Sequence, residues 1–253
     1  MLRRRLIPSL LIDRNQHLVK TTRFSDRIYI GDPRNACVVL SGFNADEILL
    51  LDIDATRDKR SVDLGLIKSI AEFSSVPLAV GGGVQTLSQI EMILSLGVER
   101  IVLSSILIHD KSFLGSAVRH FGSSSISVVL NHYTYFEGSP MGCFGIKSIN
   151  KDLSPLLDLA NFCCAEGAGE VIIYDVSSDG TRSGFNYDLF AFISCHLPIP
   201  TIALGGANTP DDVRQLFHKT EISGASIGSA FVFAPQTKEV LINYPHFKSQ
   251  VFS

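Results

Sequence analysis

The chain carries no surplus of either charge: 22 basic residues stand against 25 acidic ones over 253 positions, a net charge of −3. Nucleic acid and anionic membrane surfaces are recognised by concentrated basic fields, so neither is expected as a partner. Cysteine pairs are missing as well. Cys37, Cys143, Cys163, Cys164 and Cys195 are odd in number and scattered, with no Cys-x-x-Cys spacing. They read as reduced thiols of a cytoplasmic protein rather than as disulfides or metal ligands. The seven histidines show no ligand spacing, so no metal is expected, and no cofactor either. No apolar run is long enough to span a bilayer. The opening MLRRRLIPSLLIDR superficially resembles a signal peptide. Its apolar part is short, contains Pro8, ends at Asp13 and lacks a small-residue cleavage site, so a buried first strand is the expectation.

What the chain does have is apolar mass. Hydrophobic residues make up 45% and charged ones 19%, enough for a substantial core. Short Val/Ile/Leu-rich runs recur at 6–12, 47–53, 77–81, 100–105, 125–131, 170–176, 200–205 and 224–229. Runs this apolar, without strict alternation, suit parallel strands covered on both faces. Stretches of helical periodicity lie between them, for example at 62–73, 86–97 and 152–167. Eight strands alternating with helices predict one (β/α)8 TIM barrel over residues 1–253, with an open doubly wound sheet as the alternative.

The second half echoes the first. ADEILLLDIDATR (45–57) aligns with AGEVIIYDVSSDGTR (168–182), and PLAVGGGVQT (77–86) with PTIALGGANT (200–209), at a nearly constant offset. Two matches at one spacing point to a barrel built from two similar half-barrels. Each half therefore has a glycine turn after a strand, at the face where barrel active sites lie. The following strands end in small hydroxyl residues, LSS at 103–105 and IGS at 227–229. Backbone N–H groups in such turns form concave anion sites, and a facing pair would suit a ligand with a phosphate at each end. The bland alternative is that the glycines only turn the chain.

RRLIP, LVKTTRF, GDP, DEILLLDIDA, GGGVQT, GAGEVII, SSDGTRSGFN and GGA occur in the order found in the cyclase subunit of imidazole glycerol phosphate synthase, and the chain resembles that family over about residues 3–235. The resemblance implies a (β/α)8 barrel that binds a bis-phosphate ligand and receives ammonia from a class I glutaminase docked at its N-terminal mouth. LLIDRNQHLVKTTRF, IGDPRNA and FVF…EVLINYP (231–245) are similar to the variant subunit of O-antigen clusters. That likeness implies a further partner, a sugar amidotransferase, and amidination of a surface-polysaccharide precursor. TKEVLINYP (237–245) is more β-prone than a normal closing helix, and Pro245 is expected to stop any helix there.

The resemblance assigns phosphate positions to Gly83, Ser104 and Ser105 in the first half, and to Asp179, Gly180, Gly206, Gly228 and Ser229 in the second. Ser104 stands where the family usually has asparagine. Lys20 matches a flexible-loop lysine. Arg5, Glu47, Arg100 and Glu170 match a charged ring that gates ammonia entry, with Arg100 where lysine is usual, and Glu99 is a candidate glutaminase contact. The two catalytic carboxylates are replaced by Leu11 and Asn131. Leucine has no exchangeable proton and an amide is no carboxylate base, so cyclase chemistry is not expected. Asp13, on the same face as Leu11 if the strand continues, is a candidate displaced acid. The resulting reading is an ammonia-channelling barrel that supports sugar amidination. Its rivals are a working cyclase, a non-catalytic activator of a glutaminase, and phosphosugar isomerisation, which needs aspartates at the same two lost positions.

Overall fold

Eight parallel strands close on themselves in the computed structural model, which describes residues 3–134, 145–148, 152–233 and 240–252. They are β1 (Arg5–Ile12), β4 (Ile48–Asp52), β5 (Leu78–Gly81), β6 (Arg100–Leu103), β7 (Ile126–Thr134), β9 (Glu170–Asp175), β10 (Thr201–Leu204) and β11 (Gly224–Ile227). Closure comes from β11 pairing parallel with β1, Arg5 opposite Gly224 and Ile7 opposite Ser226. This is the (β/α)8 barrel expected from the alternating runs. Two short antiparallel strands, β2 (Leu18–Thr21) and β3 (Arg27–Gly31), fold back from the top of β1, and β8 (Ile146–Ser148) pairs parallel with the last residues of β7.

The helices are α1 (Pro33–Gly42), α2 (Leu64–Ala71), α3 (Leu87–Ser95), α4 (Ile106–His109), α5 (Ser112–Phe121), α6 (Ser154–Ala165), α7 (Tyr187–His196), α8 (Pro210–Lys219), α9 (Ser229–Val232) and α10 (Tyr244–Val251). None of the described helices is long and apolar enough to cross a membrane.

Strand alternation separates two cores. Leu6, Leu10 and Ile12 of β1 face outward into the layer under the helices, while Ile7 faces the bore. The bore is filled by Ile7, Leu49, Ala79, Val102, Val129, Ile172, Ile202 and Leu204, all buried.

The duplication is visible in local chemistry. Gly82 and Gly83 (φ +136° and +63°) have counterparts in Gly205 and Gly206 (φ +105° and +96°). Each turn leads to a helix with the same N-terminal lock. Thr86 and Gln89 exchange side-chain and backbone hydrogen bonds at the start of α3, and Thr209 and Asp212 do so at α8.

The C-terminal expectation is corrected. Pro245 does not stop a helix: it occupies the first turn of α10, where its missing N–H would have no helical partner in any case. Val240, just before, makes a single bridge to Phe233, which is what remains of the β tendency among the described residues there. Tyr244 locks the helix to the barrel, its hydroxyl donating to the Leu6 carbonyl and accepting from the Asp46 N–H.

Candidate functional site

The N-terminal mouth is closed by charge. Arg5 donates to both Glu47 and Glu170. Arg100 reaches both oxygens of Glu47 at 3.1 Å and lies 3.6 Å from Glu170. These residues begin or immediately precede β1, β4, β6 and β9, so they form one ring across the bore. Glu47 and Glu170 are buried and the two arginines cover them from the solvent side. Burial pushes the Glu47 carboxyl up, against the pull of Arg100. Burial works to lower the Arg5 guanidinium, yet Glu170 and Glu47 outweigh it and raise it. Glu99 is exposed beside Arg100. Behind the ring the bore is mainly aliphatic.

The opposite, C-terminal mouth holds a cleft lined by Leu11, Lys20, Tyr174, Asp179, Gly180, Arg182, Gly206, Gly228 and Ser229. The second-half positions named from the sequence therefore converge. Lys20 departs from expectation: it is on strand β2 and buried, not on a loose loop. Its ammonium donates to the Ser9 carbonyl at 2.5 Å, and a Cβ added at Gly228 would come within 2.8 Å of it. Burial pulls its pKa down to about 8, with Asp179 opposing. Asp179 accepts from Thr21 Oγ1 and from the Tyr174 hydroxyl, each at 2.7 Å. Burial nonetheless raises its carboxyl, and burial with Asp179 holds the Tyr174 phenol well above its usual value. Thr21 and Tyr174 were not singled out from sequence. The inward position of Tyr174, two residues beyond Ile172 on β9, was the available signal.

The first-half positions sit in a different setting. The segment after β4 folds over the glycine turn, so a Cβ at Gly83 would lie 1.9 Å from the Arg60 carbonyl. Arg60 grips Asp52 with two hydrogen bonds of 2.5 and 3.0 Å. The Ser105 hydroxyl is engaged with Thr56 at 2.9 Å, and Ser104 is half-buried at the end of β6. Next to this segment Asp54, fully buried, accepts two hydrogen bonds from Arg27 and further ones from Arg57 and the Arg14 N–H. Sequence reasoning missed this cluster, although the charge density of DIDATRDKR was in plain view.

Leu11 faces the cleft and is buried; Asn131 is half-buried opposite Tyr174 on the neighbouring strand. Asp13 is corrected. β1 ends at Ile12, and the Asp13 carboxylate turns away to accept from the N–H groups of Asn15 and His17. It shapes the turn into β2 and does not take the place of a carboxylate beside Leu11. A separate hollow of about 240 Å³ lies outside the bore between β1 and α1, lined by Leu10, Ile30, Val39 and Phe231, and gathers little polar chemistry. No three His, Cys, Asp or Glu side chains gather as a metal site among the described residues.

Comparison with known proteins adds the family. The profile of the histidine biosynthesis protein family matches residues 5–237. A Vibrio vulnificus protein named for an imidazole glycerol phosphate synthase subunit HisF3 is 38% identical over 97% of this chain and 94% of its own length. A Leptospira borgpetersenii protein named for the same synthase subunit is 36% identical over 97% and 96%. The imidazole glycerol phosphate synthase subunit HisF of Streptococcus sanguinis is 29% identical over 91% of each chain.

Proposed function

The chain belongs to the histidine biosynthesis protein family, and from that premise we propose that it is the barrel subunit of a complex of the imidazole glycerol phosphate synthase type, taking ammonia from a glutaminase subunit docked at its N-terminal mouth. One observation carries this reading: a closed ring of two arginines and two buried glutamates stands at the entrance to an aliphatic bore. Charge-assisted hydrogen bonds of this kind hold an opening shut yet can exchange partners. An aliphatic bore passes a neutral molecule and rejects its protonated form, because an unpaired ion is costly to desolvate.

We place the acceptor chemistry outside imidazole ring closure, in the amidination of a surface-polysaccharide sugar precursor by a separate amidotransferase. The support is Leu11 and Asn131, which supply neither a proton nor a carboxylate base where ring closure needs both. On this reading the cleft around Gly206, Gly228 and Ser229 binds a phosphate-bearing small molecule. The relatives' names favour the other acceptor, ring closure within the synthase itself, more directly. A structural feature on that side is the buried Lys20–Asp179–Tyr174 group at the same mouth as Leu11.

The deciding assay supplies ammonium salt and the bis-phosphate ribulosyl substrate of the synthase. No imidazole glycerol phosphate is expected. Turnover near that of an ordinary cyclase subunit would establish the second reading and remove the first. The glutaminase partnership is tested separately, by whether a glutaminase subunit of the synthase binds this barrel and gains activity.

A further inference from the structure

The bore is not uniformly aliphatic. Alternation along β7 puts Ile126 and Val128 under the helices and Ser127 inside with Val129; along β11 it puts Ala225 and Ile227 outside and Ser226 inside. Both serines are buried, at 1% and 0% exposure, and neither hydroxyl has a hydrogen-bond partner among the described residues. A buried hydroxyl left unsatisfied costs free energy, and alanine or valine would avoid that cost at either place. Neighbouring inward positions are in fact Val102, Val129, Ile7 and Leu204.

The two hydroxyls mark the two ends of the bore. Ser127 is level with Glu170 of the entrance ring and with Val102. Ser226 is level with Ile7 and Leu204, and also lines the cleft that holds Lys20 and Tyr174. We propose that Ser127 and Ser226 are transfer stations for neutral ammonia: each hydroxyl donates to the ammonia lone pair or accepts from an N–H, one behind the entrance and one at the exit. No bond other than hydrogen bonds forms, and no proton is lost. The proposal rests on the conduit reading above and names the residues that would serve it. A small neutral amine needs this because a wholly aliphatic path offers nothing to replace the hydrogen bonds it gives up on leaving water. Two hydroxyls at separate registers of the bore replace them without holding the molecule in one place.

Hydroxylamine, an ammonia analogue uncharged at neutral pH, is the probe. Crystals of the whole chain soaked in it should show two-atom density in hydrogen-bond contact with Ser127 Oγ and with Ser226 Oγ. Ser127→Ala and Ser226→Ala should each abolish the density at its own site. Their thermal midpoints should stay level or rise, since each removes an unpaired polar group. Water alone at both hydroxyls, a bore that excludes the probe, or a clear fall in thermal midpoint would overturn the proposal in favour of ordinary buried-water sites or structural serines. Failure of the conduit reading shows elsewhere, whatever the bore contains: the glutaminase subunit would not bind, or would bind while opening the entrance ring by Arg100→Ala released no more ammonia to solvent.

Discussion

At Lys20 a single side chain links the hairpin to the cleft at the C-terminal mouth. A lysine buried beside a carbonyl and a carboxylate is an unusual choice unless an anion arrives to share its charge. The free protein holds this amine near a pKa of about 8, so it is protonated below that pH and increasingly neutral above it. Bound phosphate would favour the protonated form. Affinity for inorganic phosphate should therefore fall by up to about tenfold per pH unit above about pH 8. Phosphate is already dianionic there, so its own titration does not confuse the result. Lys20→Met should weaken binding and remove the pH dependence together. Calorimetric titration at several pH values is the measurement, and an unchanged slope in the variant would dissociate Lys20 from the anion.

At the scale of elements, the segment after β4 and the β2–β3 hairpin are fastened over the first-half mouth by Asp54. Its carboxyl is held at about 2, mainly by the Arg27 hydrogen bonds, against 3.8 in an ordinary setting. The unfolded chain thus takes up the proton first. The stabilisation is complete above about pH 4 and is lost as pH falls through about 2. Asp54→Asn should cost about 2 kcal/mol at neutral pH, a figure kept low because Arg27 and Arg57 remain partly solvated. That corresponds to a fall of roughly 4–8 °C in thermal midpoint for a domain of this size. The gap between variant and parent should close between pH 4 and pH 2. The elements themselves were largely legible: β9, β10 and β11 begin and end within a residue or two of their apolar runs, because buried parallel strands leave an unbroken signature. The hairpin and its Asp54 clasp were not. Their stability comes from charged contacts between segments far apart in sequence, and no local period records such contacts. Pro245 misled for the opposite reason, since a proline that breaks a helix interior also starts a helix well. The ring residues and the second-half glycines could be named from motifs, whereas burial of Lys20 and the turning away of Asp13 needed the strand ends to be seen.

For the whole molecule, the two mouths are joined only through the barrel, so the entrance ring is the place to ask whether the interior is used. Arg100 is the ring member whose loss leaves the most to explain. Glu47 would keep Arg5 but lose its contacts at 3.1 Å, and Glu170 would lose its neighbour at 3.6 Å. Burial already raises Glu47, and Arg100 is the main force opposing it, so Arg100→Ala should raise that carboxyl further. The mouth would then be bridged by one guanidinium holding two buried carboxyls. In the proposed complex with a glutaminase subunit, glutamine hydrolysis should persist while ammonia escapes to solvent at the subunit junction. A solution-phase ammonia trap should therefore collect more of the nitrogen released per glutamine than it does with the parent chain. Arg100→Lys, which keeps the charge but not the forked geometry, should recover most of the retention. Should the alanine variant retain ammonia as well as the parent while still binding the glutaminase, the ring is a salt-bridged base of the barrel. The chain would then act on its partner by contact alone, as a non-catalytic activator.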